Sequence, residues 1–253
     1  MIFDSHAHYD DHRFDEDRDE LIASLWTHGI GKVINIGSDL ASIENVLSLV
    51  ETYPEFYGSV GIHPSDTKDL TEADMTYLKK SAAKDGIVAI GEIGLDYYYE
   101  EPEISIQKKW FHRQLDLAEE TGLPVIIHSR DACQDTLDIL KERKTVIGVV
   151  HCFSYTKETA EEYLKMGYYI GIGGVVTFKN AKKLKEAVEV IPMDRILLET
   201  DCPYLAPEPH RGTRNSSLML PYVIEEIARI KNLEPKQVED ATWENVHRLF
   251  HIE

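Results

Sequence analysis

The chain has 253 residues, of which 43% are hydrophobic, and it carries a formal net charge of −18 at pH 7. The hydrophobic fraction is typical of a folded globular protein, and no apolar run approaches the roughly 18 residues of a membrane-spanning helix. An acidic surface repels polyanions, so the charge disfavours binding of duplex DNA through a broad basic face. Three cysteines and an amino terminus without a basic and apolar leader predict a cytoplasmic protein.

Short apolar runs alternate with segments of helical spacing along the chain, which is the pattern of repeated βα units. The eight predicted strands are Ile2–His6, Lys32–Gly37, Tyr57–His63, Ile87–Gly91, Pro124–His128, Thr145–His151, Tyr168–Gly173 and Arg195–Asp201. Amphipathic segments lie between them, such as the one with Ile43, Val46, Leu47 and Val50. Barrels of eight such units typically need about 250 residues, so the pattern predicts an α/β fold, a single-domain (β/α)8 TIM barrel over residues 1–253.

The last part of the chain departs from this repeat. An irregular segment with Pro203, Pro207 and Pro209 follows the eighth predicted strand and indicates a long loop at the active-site end. An amphipathic segment from Pro235 to Phe250 predicts an extra C-terminal helix outside the barrel, with proline at its first position. A doubly wound open sheet is the alternative architecture, but no G-x-G-x-x-G motif follows the first strand. We therefore favour the closed barrel.

Imidazole and carboxylate side chains stand at the ends of six predicted strands. They are His6 with His8, His63, Glu92, His128, His151 and Asp201. The carboxyl ends of barrel strands meet at one rim, where catalytic groups from several strands come together. Packing alone explains such residues poorly, because buried ionisable groups cost free energy unless they are paired or bound to a metal. The set predicts a centre for two divalent metal ions, and its ligand types suit Zn, Mn, Fe, Ni or Mg without choosing among them.

The cysteines and the remaining helical histidines are not assigned to the site. Cys152 and Cys202 directly follow His151 and Asp201, so alternation along a strand should turn both thiols toward the helices. Cys133 falls on the apolar face of a predicted helix. The histidines expected at the surface or between helices are His12, His28, His112, His247 and His251.

Six separated motifs occur along the chain in a specific order. They are His6-Ala7-His8, Gly61-Ile62-His63-Pro64, Gly91-Glu92-Ile93-Gly94-Leu95-Asp96, His128-Ser129-Arg130, His151-Cys152-Phe153-Ser154 and Glu199-Thr200-Asp201. With these motifs the chain resembles the TatD family of metal-dependent hydrolases over nearly its whole length. The resemblance implies an amidohydrolase-like barrel with deoxyribonuclease activity, largely 3′→5′ exonucleolytic, and D-aminoacyl-tRNA deacylation is also attributed to some members. Two departures are visible, since Tyr9 replaces a usual leucine and Asn215-Ser216-Ser217 replaces a frequent Asn-Glu-Pro.

The resemblance also implies roles for individual residues. The implied ligands are His6, His8 and Asp201 for one metal ion and His128 and His151 for the other, with Glu92 bridging the two. Glu92, Asp201 and His63 would be catalytic, with Asp201 accepting the proton of the attacking water. His63 would also contact the scissile phosphate, and Arg211 would be a further phosphate contact.

Substrate and partners follow from the charge of the expected centre. Two divalent ions against Glu92 and Asp201 leave the pocket positive by about two charges, which favours nucleic acid ends or short oligonucleotides over long duplexes. Tyr97, Tyr98 and Tyr99 either stack on exposed bases or pack within their loop. The alternatives are a hydrolase of small esters, lactones or amides, a D-aminoacyl-tRNA deacylase on the same centre, and a metal-dependent binding scaffold without turnover. We expect no membrane contact and no obligate protein partner.

Overall fold

A computed structural model describes all 253 residues of the chain as eight strands and nine α-helices. The strands are β1 (Ile2–Ala7), β2 (Ile30–Ile36), β3 (Phe56–Val60), β4 (Ile87–Asp96), β5 (Val125–Arg130), β6 (Gly148–Val150), β7 (Tyr169–Ile172) and β8 (Ile196–Leu198). The helices are α1 (Arg18–Thr27), α2 (Leu40–Thr52), α3 (Glu72–Ala82), α4 (Ile104–Thr121), α5 (Cys133–Lys141), α6 (Lys157–Lys165), α7 (Lys182–Val190), α8 (Leu220–Lys231) and α9 (Pro235–Phe250). None of the helices is both long enough and apolar enough to cross a membrane.

All eight strands belong to one sheet, in which each strand pairs in parallel with the next one along the chain. The sheet closes because β1 bonds to the segment that follows β8. The backbone N–H of His8 donates to the carbonyl of Cys202 at 2.9 Å, and that of Asp201 donates to the carbonyl of His6 at 2.9 Å. The predicted (β/α)8 barrel is confirmed.

All eight strands end at positions other than those predicted, by one or two residues in five of them and by three or more in β3, β4 and β8. β4 continues past Gly91 to Asp96, because its pairing with β5 extends to Asp96 opposite Arg130. β8 ends at Leu198, and Asp201 lies in the following loop with a φ of 55°. Glu92 therefore projects from within a strand, whereas Asp201 is placed by the backbone hydrogen bond that closes the barrel.

The helix predicted at the C-terminal end is confirmed as α9, and it covers the end of the barrel where the strands begin. The ring of Trp243 on α9 lies 5.6 Å from that of Phe3 in β1. Val246, Leu249 and Phe250 of the same helix are buried together with apolar side chains of the strands. Because α9 seals the amino-terminal end of the strands, the opposite rim is the open one.

Candidate metal centre

The six predicted metal ligands come together at the open rim. A cavity of about 550 Å³ is lined by five of them, namely His8, Glu92, His128, His151 and Asp201, and also by His63. The sixth, His6, lies behind the cavity wall with only 1% of its surface exposed. Its Nε2 atom is 3.3 Å from that of His8, as expected for residues two apart in the extended chain at the end of β1.

Glu92 lies between two groups of imidazoles and turns one carboxylate oxygen toward each. Its Oε2 atom is 3.6 Å from Nε2 of His6 and 4.0 Å from Nε2 of His8. Its Oε1 atom is 2.7 Å from Nδ1 of His128 and 2.6 Å from Nε2 of His151. Within β4, the register with β5 shifts between Ile90 and Ile93, at the point where Glu92 projects.

The donor atoms around His6 and His8 are 3.3 to 4.0 Å apart, close to the spacing of ligands around a tetrahedrally coordinated cation and somewhat wider. Ligand bonds of about 2.0–2.1 Å place neighbouring ligand atoms roughly 3.3 Å apart. The Nε2 atoms of His6 and His8 are separated by 3.3 Å, and Oδ1 of Asp201 lies 3.5 Å from Nε2 of His8. Imidazole and carboxylate donors at this spacing fit a divalent transition metal.

The second group has a carboxylate partner that the sequence did not lead us to assign. Nε2 of His128 lies 3.1 Å from Oδ2 of Asp96, while Nδ1 of the same ring faces Glu92. A carboxylate behind a ligating imidazole fixes the ring and its tautomer. Asp96 is four residues after Glu92 on one strand, so alternation along β4 would have placed both side chains on the same face.

The pKa values show where these carboxylates stabilise positive charge. Burial opposes protonation of His8, but Asp201 and Glu92 raise its pKa to about 9. Burial is likewise outweighed at His128, where Asp96 and Glu92 raise the pKa to about 9. Burial alone would raise the pKa of Glu92, yet His151 and His128 hold it well below its ordinary value. Without a metal ion, His8 and His128 are therefore protonated at neutral pH, and the central carboxylate is ionised.

Two other imidazoles are neutral. Burial and the charge of His151 lower the pKa of His6 to about 4. Burial and the charge of His128 lower the pKa of His63 to about 3, although Glu92 acts in the opposite direction. The Nε2 atom of His63 lies 4.0 Å from Oε1 of Glu92, and the ring stands on the cavity wall.

Arg211 does not line the cavity, whereas Arg130 does. The guanidinium of Arg211 lies 4.4 Å above the ring of Phe178. Arg130 is the one Lys or Arg side chain on the cavity wall, and its guanidinium lies 3.7 Å from the centre of the Tyr98 ring. Tyr99 lines the same cavity. The sequence contained a signal for Arg130, because this arginine lies directly after the fifth predicted strand, in His128-Ser129-Arg130.

A second cavity of about 390 Å³ adjoins the first and contains Cys152 in its wall. The expectation that this thiol turns toward the helices is wrong. Cys152 lies beyond the end of β6 with a φ of 44°, so strand alternation does not apply to it. Cys202, in contrast, is fully buried in the apolar core as expected. Burial raises the pKa of the Cys152 thiol well above its ordinary value, and the carboxylates of Asp201 and Glu199 add to that effect.

Comparison with known proteins identifies the family. The family model described as TatD related DNase matches residues 3–251. The chain belongs to the TatD family. It is 43% identical to the metal-dependent hydrolase YabD of Bacillus subtilis, with the whole of both chains covered. It is 34% identical to the 3′-5′ ssDNA/RNA exonuclease TatD of Cronobacter sakazakii, covering 98% of this chain and 97% of that protein.

The fold of a solved TatD homologue agrees with this assignment. The crystal structure of YjjV from Escherichia coli superposes with a TM-score of 0.94 at 28% sequence identity, covering 100% of this chain and 98% of the other. The curated relatives of the present chain are named as metal-dependent hydrolases. The open rim of the present chain holds groups of His and Glu side chains that are able to bind metal ions. The chain is therefore a metal-dependent hydrolase of the TatD family.

Proposed function

We propose that the protein is a deoxyribonuclease that hydrolyses phosphodiester bonds at single-stranded 3′ ends with two divalent metal ions. The observation that carries the proposal is the position of Glu92, whose two carboxylate oxygens face two separate groups of imidazoles. The proposed ligands are His6, His8 and Asp201 for one ion and His128 and His151 for the other, with Glu92 shared. The distances and donor types of both groups support this division.

Divalent ions at these ligands would polarise the phosphoryl oxygen and lower the pKa of water. Residues of the chain itself would accept the proton of the attacking water and contact the phosphate. Asp201 borders both cavities. Burial opposes its ionisation, but the hydrogen bond from His8 and the charge of His151 hold its pKa below the ordinary value, so it is ionised and able to accept the proton of the attacking water. His63 is neutral and its ring borders the cavity, where an N–H of the imidazole would contact the scissile phosphate.

Charge distribution supports a strand end as the substrate. The formal charge of −18 opposes long duplexes, while Arg130 supplies positive charge on the wall of the ligand-lined cavity. Tyr98 and Tyr99 are both exposed and flank that arginine, in positions where aromatic rings can stack on unpaired bases. A relative at 34% identity is named a 3′-5′ ssDNA/RNA exonuclease, which supports the polarity of cleavage.

The test uses 5′-labelled single-stranded DNA and a matched RNA with Mn²⁺- or Mg²⁺-loaded protein, beside the Glu92→Ala variant. We expect a ladder that shortens from the 3′ end with the wild type and intact DNA with the variant. Thermal unfolding of both proteins checks that Glu92→Ala leaves the barrel folded. A variant that binds its metals and cleaves at nearly the wild-type rate would show that the proposed mechanism is wrong.

The same experiment separates the alternative substrates. Intact DNA with metal-loaded wild type, followed by turnover of esters, lactones or amides, would replace the nuclease with a small-molecule hydrolase on the same centre. Turnover of D-aminoacyl-tRNA alone would identify a deacylase. Metal binding without turnover of any substrate would leave a binding scaffold.

A further inference from the structure

Three of the six buried side-chain atoms that lack any hydrogen-bond partner lie together behind the metal centre. The six atoms are Nδ1 of His6, Nδ1 of His151, Oε2 of Glu199, Oγ of Ser59 and the hydroxyls of Tyr163 and Tyr168. In His6, His151 and Glu199, one ligand atom of each residue lies within 4.8 Å of the other two. Buried polar atoms are nearly always paired, because an unpaired one costs free energy. Their concentration here indicates a contact that the loaded centre completes.

The carboxyl group of Glu199 is held in place by the chain around it. Glu199 follows β8 and is only 1% exposed. Its Oε1 atom accepts the backbone N–H of Cys152, the residue after His151, at 2.5 Å. The other oxygen occupies space left by Gly171 of β7, where an added Cβ would lie 2.2 Å from Oε2 of Glu199. A glycine within a strand weakens it, so this position indicates room kept for the carboxylate.

The tautomer of His151 explains what the free oxygen would do. A neutral imidazole carries one N–H and one lone pair. Nε2 of His151 faces Glu92 at 2.6 Å, so this is the nitrogen on the metal side. Binding a metal through Nε2 requires the ring proton to be on Nδ1, where it needs an acceptor. The rings of His6 and His151 stack at 4.0 Å, so a shift of one ring displaces the other.

We propose that Glu199 is a positioning residue whose free oxygen accepts a hydrogen bond from the Nδ1–H of His151 and thereby directs Nε2 of this ring to the metal. The inference rests on the proposed role of His151 as a ligand, but it does not depend on the substrate. The chain already contains one such pair, since Asp96 bonds to the far nitrogen of His128 at 3.1 Å. With Glu199 in this role, each of the two imidazoles that contact Oε1 of Glu92 has its own carboxylate behind it.

The test measures metal binding rather than activity. Metal-free wild type, Glu199→Ala and Glu199→Gln are titrated with Mn²⁺ and with Zn²⁺ by calorimetry. We expect Glu199→Ala to bind its metal roughly 10- to 100-fold more weakly, the usual effect of losing a carboxylate behind a ligating histidine. Glu199→Gln should recover part of the affinity, because its one carbonyl oxygen can still accept a hydrogen bond from the Nδ1–H of His151. Glu162→Ala, on the exposed face of α6, is the matched control and should bind as the wild type does.

A spectroscopic measurement distinguishes positioning from a general loss of structure. In ¹⁵N-labelled, Zn²⁺-loaded protein, His151 should show a protonated Nδ1 in the wild type, and this signal should be lost or exchange-broadened in Glu199→Ala. Gly171→Ala leaves the carboxylate in the chain but displaces it, and should weaken metal binding in the same direction. If Glu199→Ala does not fold, Glu199→Gln and Gly171→Ala carry the test.

Two results would overturn the inference. One is metal affinity within about twofold of the wild type in Glu199→Ala, with the His151 tautomer unchanged, while Glu92→Ala loses binding. The other is the loss of one bound metal ion per chain in Glu199→Ala while the remaining ion binds with unchanged affinity, which would make Glu199 a ligand. Failure of DNA cleavage affects the proposed function alone, because no substrate is present in these titrations.

Discussion

The hydroxyl of Tyr9 lies 2.8 Å from the Oγ atom of Ser217 and accepts the backbone N–H of that serine at 3.0 Å. Tyr9 is one of the two departures from the family resemblance noted in the sequence, and Ser217 belongs to the other, Asn215-Ser216-Ser217. A leucine at position 9 has no hydroxyl, and a proline at position 217 has no N–H, so neither usual residue could make this contact. Ser217 in turn donates to Asp4, which accepts the hydroxyl of Thr200 beside Asp201. The departures thus form one buried contact next to a predicted ligand.

This contact predicts strong coupling between the two positions. Tyr9→Phe and Ser217→Ala should each lower the free energy of unfolding by about 1 kcal/mol or more, because each leaves a buried polar partner unpaired. The double variant should be less destabilised than the sum, by about 1 kcal/mol. Urea unfolding of the four proteins measures this. Strict additivity of the two effects would contradict the prediction.

Asp96 provides a second test, on metal affinity. Asp96→Asn should weaken binding of Mn²⁺ or Zn²⁺ roughly 10- to 100-fold, because the imidazole of His128 loses the carboxylate that orients it. Calorimetric titration of the metal-free protein gives the affinity. Asp138→Asn, which changes an exposed carboxylate on α5, is the control. Equal affinities for Asp96→Asn and the wild type would mean that Asp96 does not orient the ligand.

The contrast between two arginines tests the path of the substrate. Arg130→Ala should lower kcat/KM on single-stranded DNA roughly 10- to 100-fold, because a hydrogen bond to a charged group contributes about 1.5–3 kcal/mol. Arg211→Ala should change it by less than about twofold, since its side chain lies over Phe178 and not in the cavity. Steady-state kinetics of both variants measure kcat/KM, and their melting temperatures show whether they are folded. A larger loss for Arg211→Ala would restore the sequence-based prediction that this residue contacts the phosphate.

Metal binding should depend on pH because protons compete with metal ions for His8 and His128. Their folded-state pKa of about 9 lies above the ordinary value of 6.5, so in the metal-free protein their protonation stabilises the fold fully below pH 6.5. This stabilisation is lost as pH rises toward 9. Metal ions must displace the same protons, so their affinity should rise between pH 6.5 and 9, with release of about two protons at pH 7. Calorimetry in buffers of different ionisation enthalpy counts them, and binding without proton release would refute the prediction.

Much of the architecture was predictable because it depends on local pattern. The alternation of apolar runs with helical spacing indicated eight βα units, and the helix from Pro235 to Phe250 was predicted at its observed bounds. The recurrence of imidazole and carboxylate side chains at strand ends predicted that the six ligand candidates lie at one rim of the barrel. Periodicity and strand polarity are properties of short segments, so they can be read without knowing the contacts.

Contacts between distant segments were not predictable in the same way. Arg130 ends β5 and Arg211 lies in the loop after β8, and only the packing of Arg211 against Phe178 shows that it is outside the cavity. Cys152 departs from strand alternation because the chain turns to a positive φ once β6 has ended. Asp96 was within reach of the alternation argument, but its role depends on how far β4 pairs with β5.

The sequence by itself determined the fold class, the TatD family and the residue types at the rim, because these follow from periodicity, motif order and the chemistry of side chains. The tertiary structure decided which oxygen of Glu92 faces which imidazole, that Asp96 lies behind His128, and that Tyr9 meets Ser217 across a separation of 208 residues. The physical reason is distance in the chain: hydrogen bonds and charge interactions act over a few ångströms, and only barrel closure brings these segments that close.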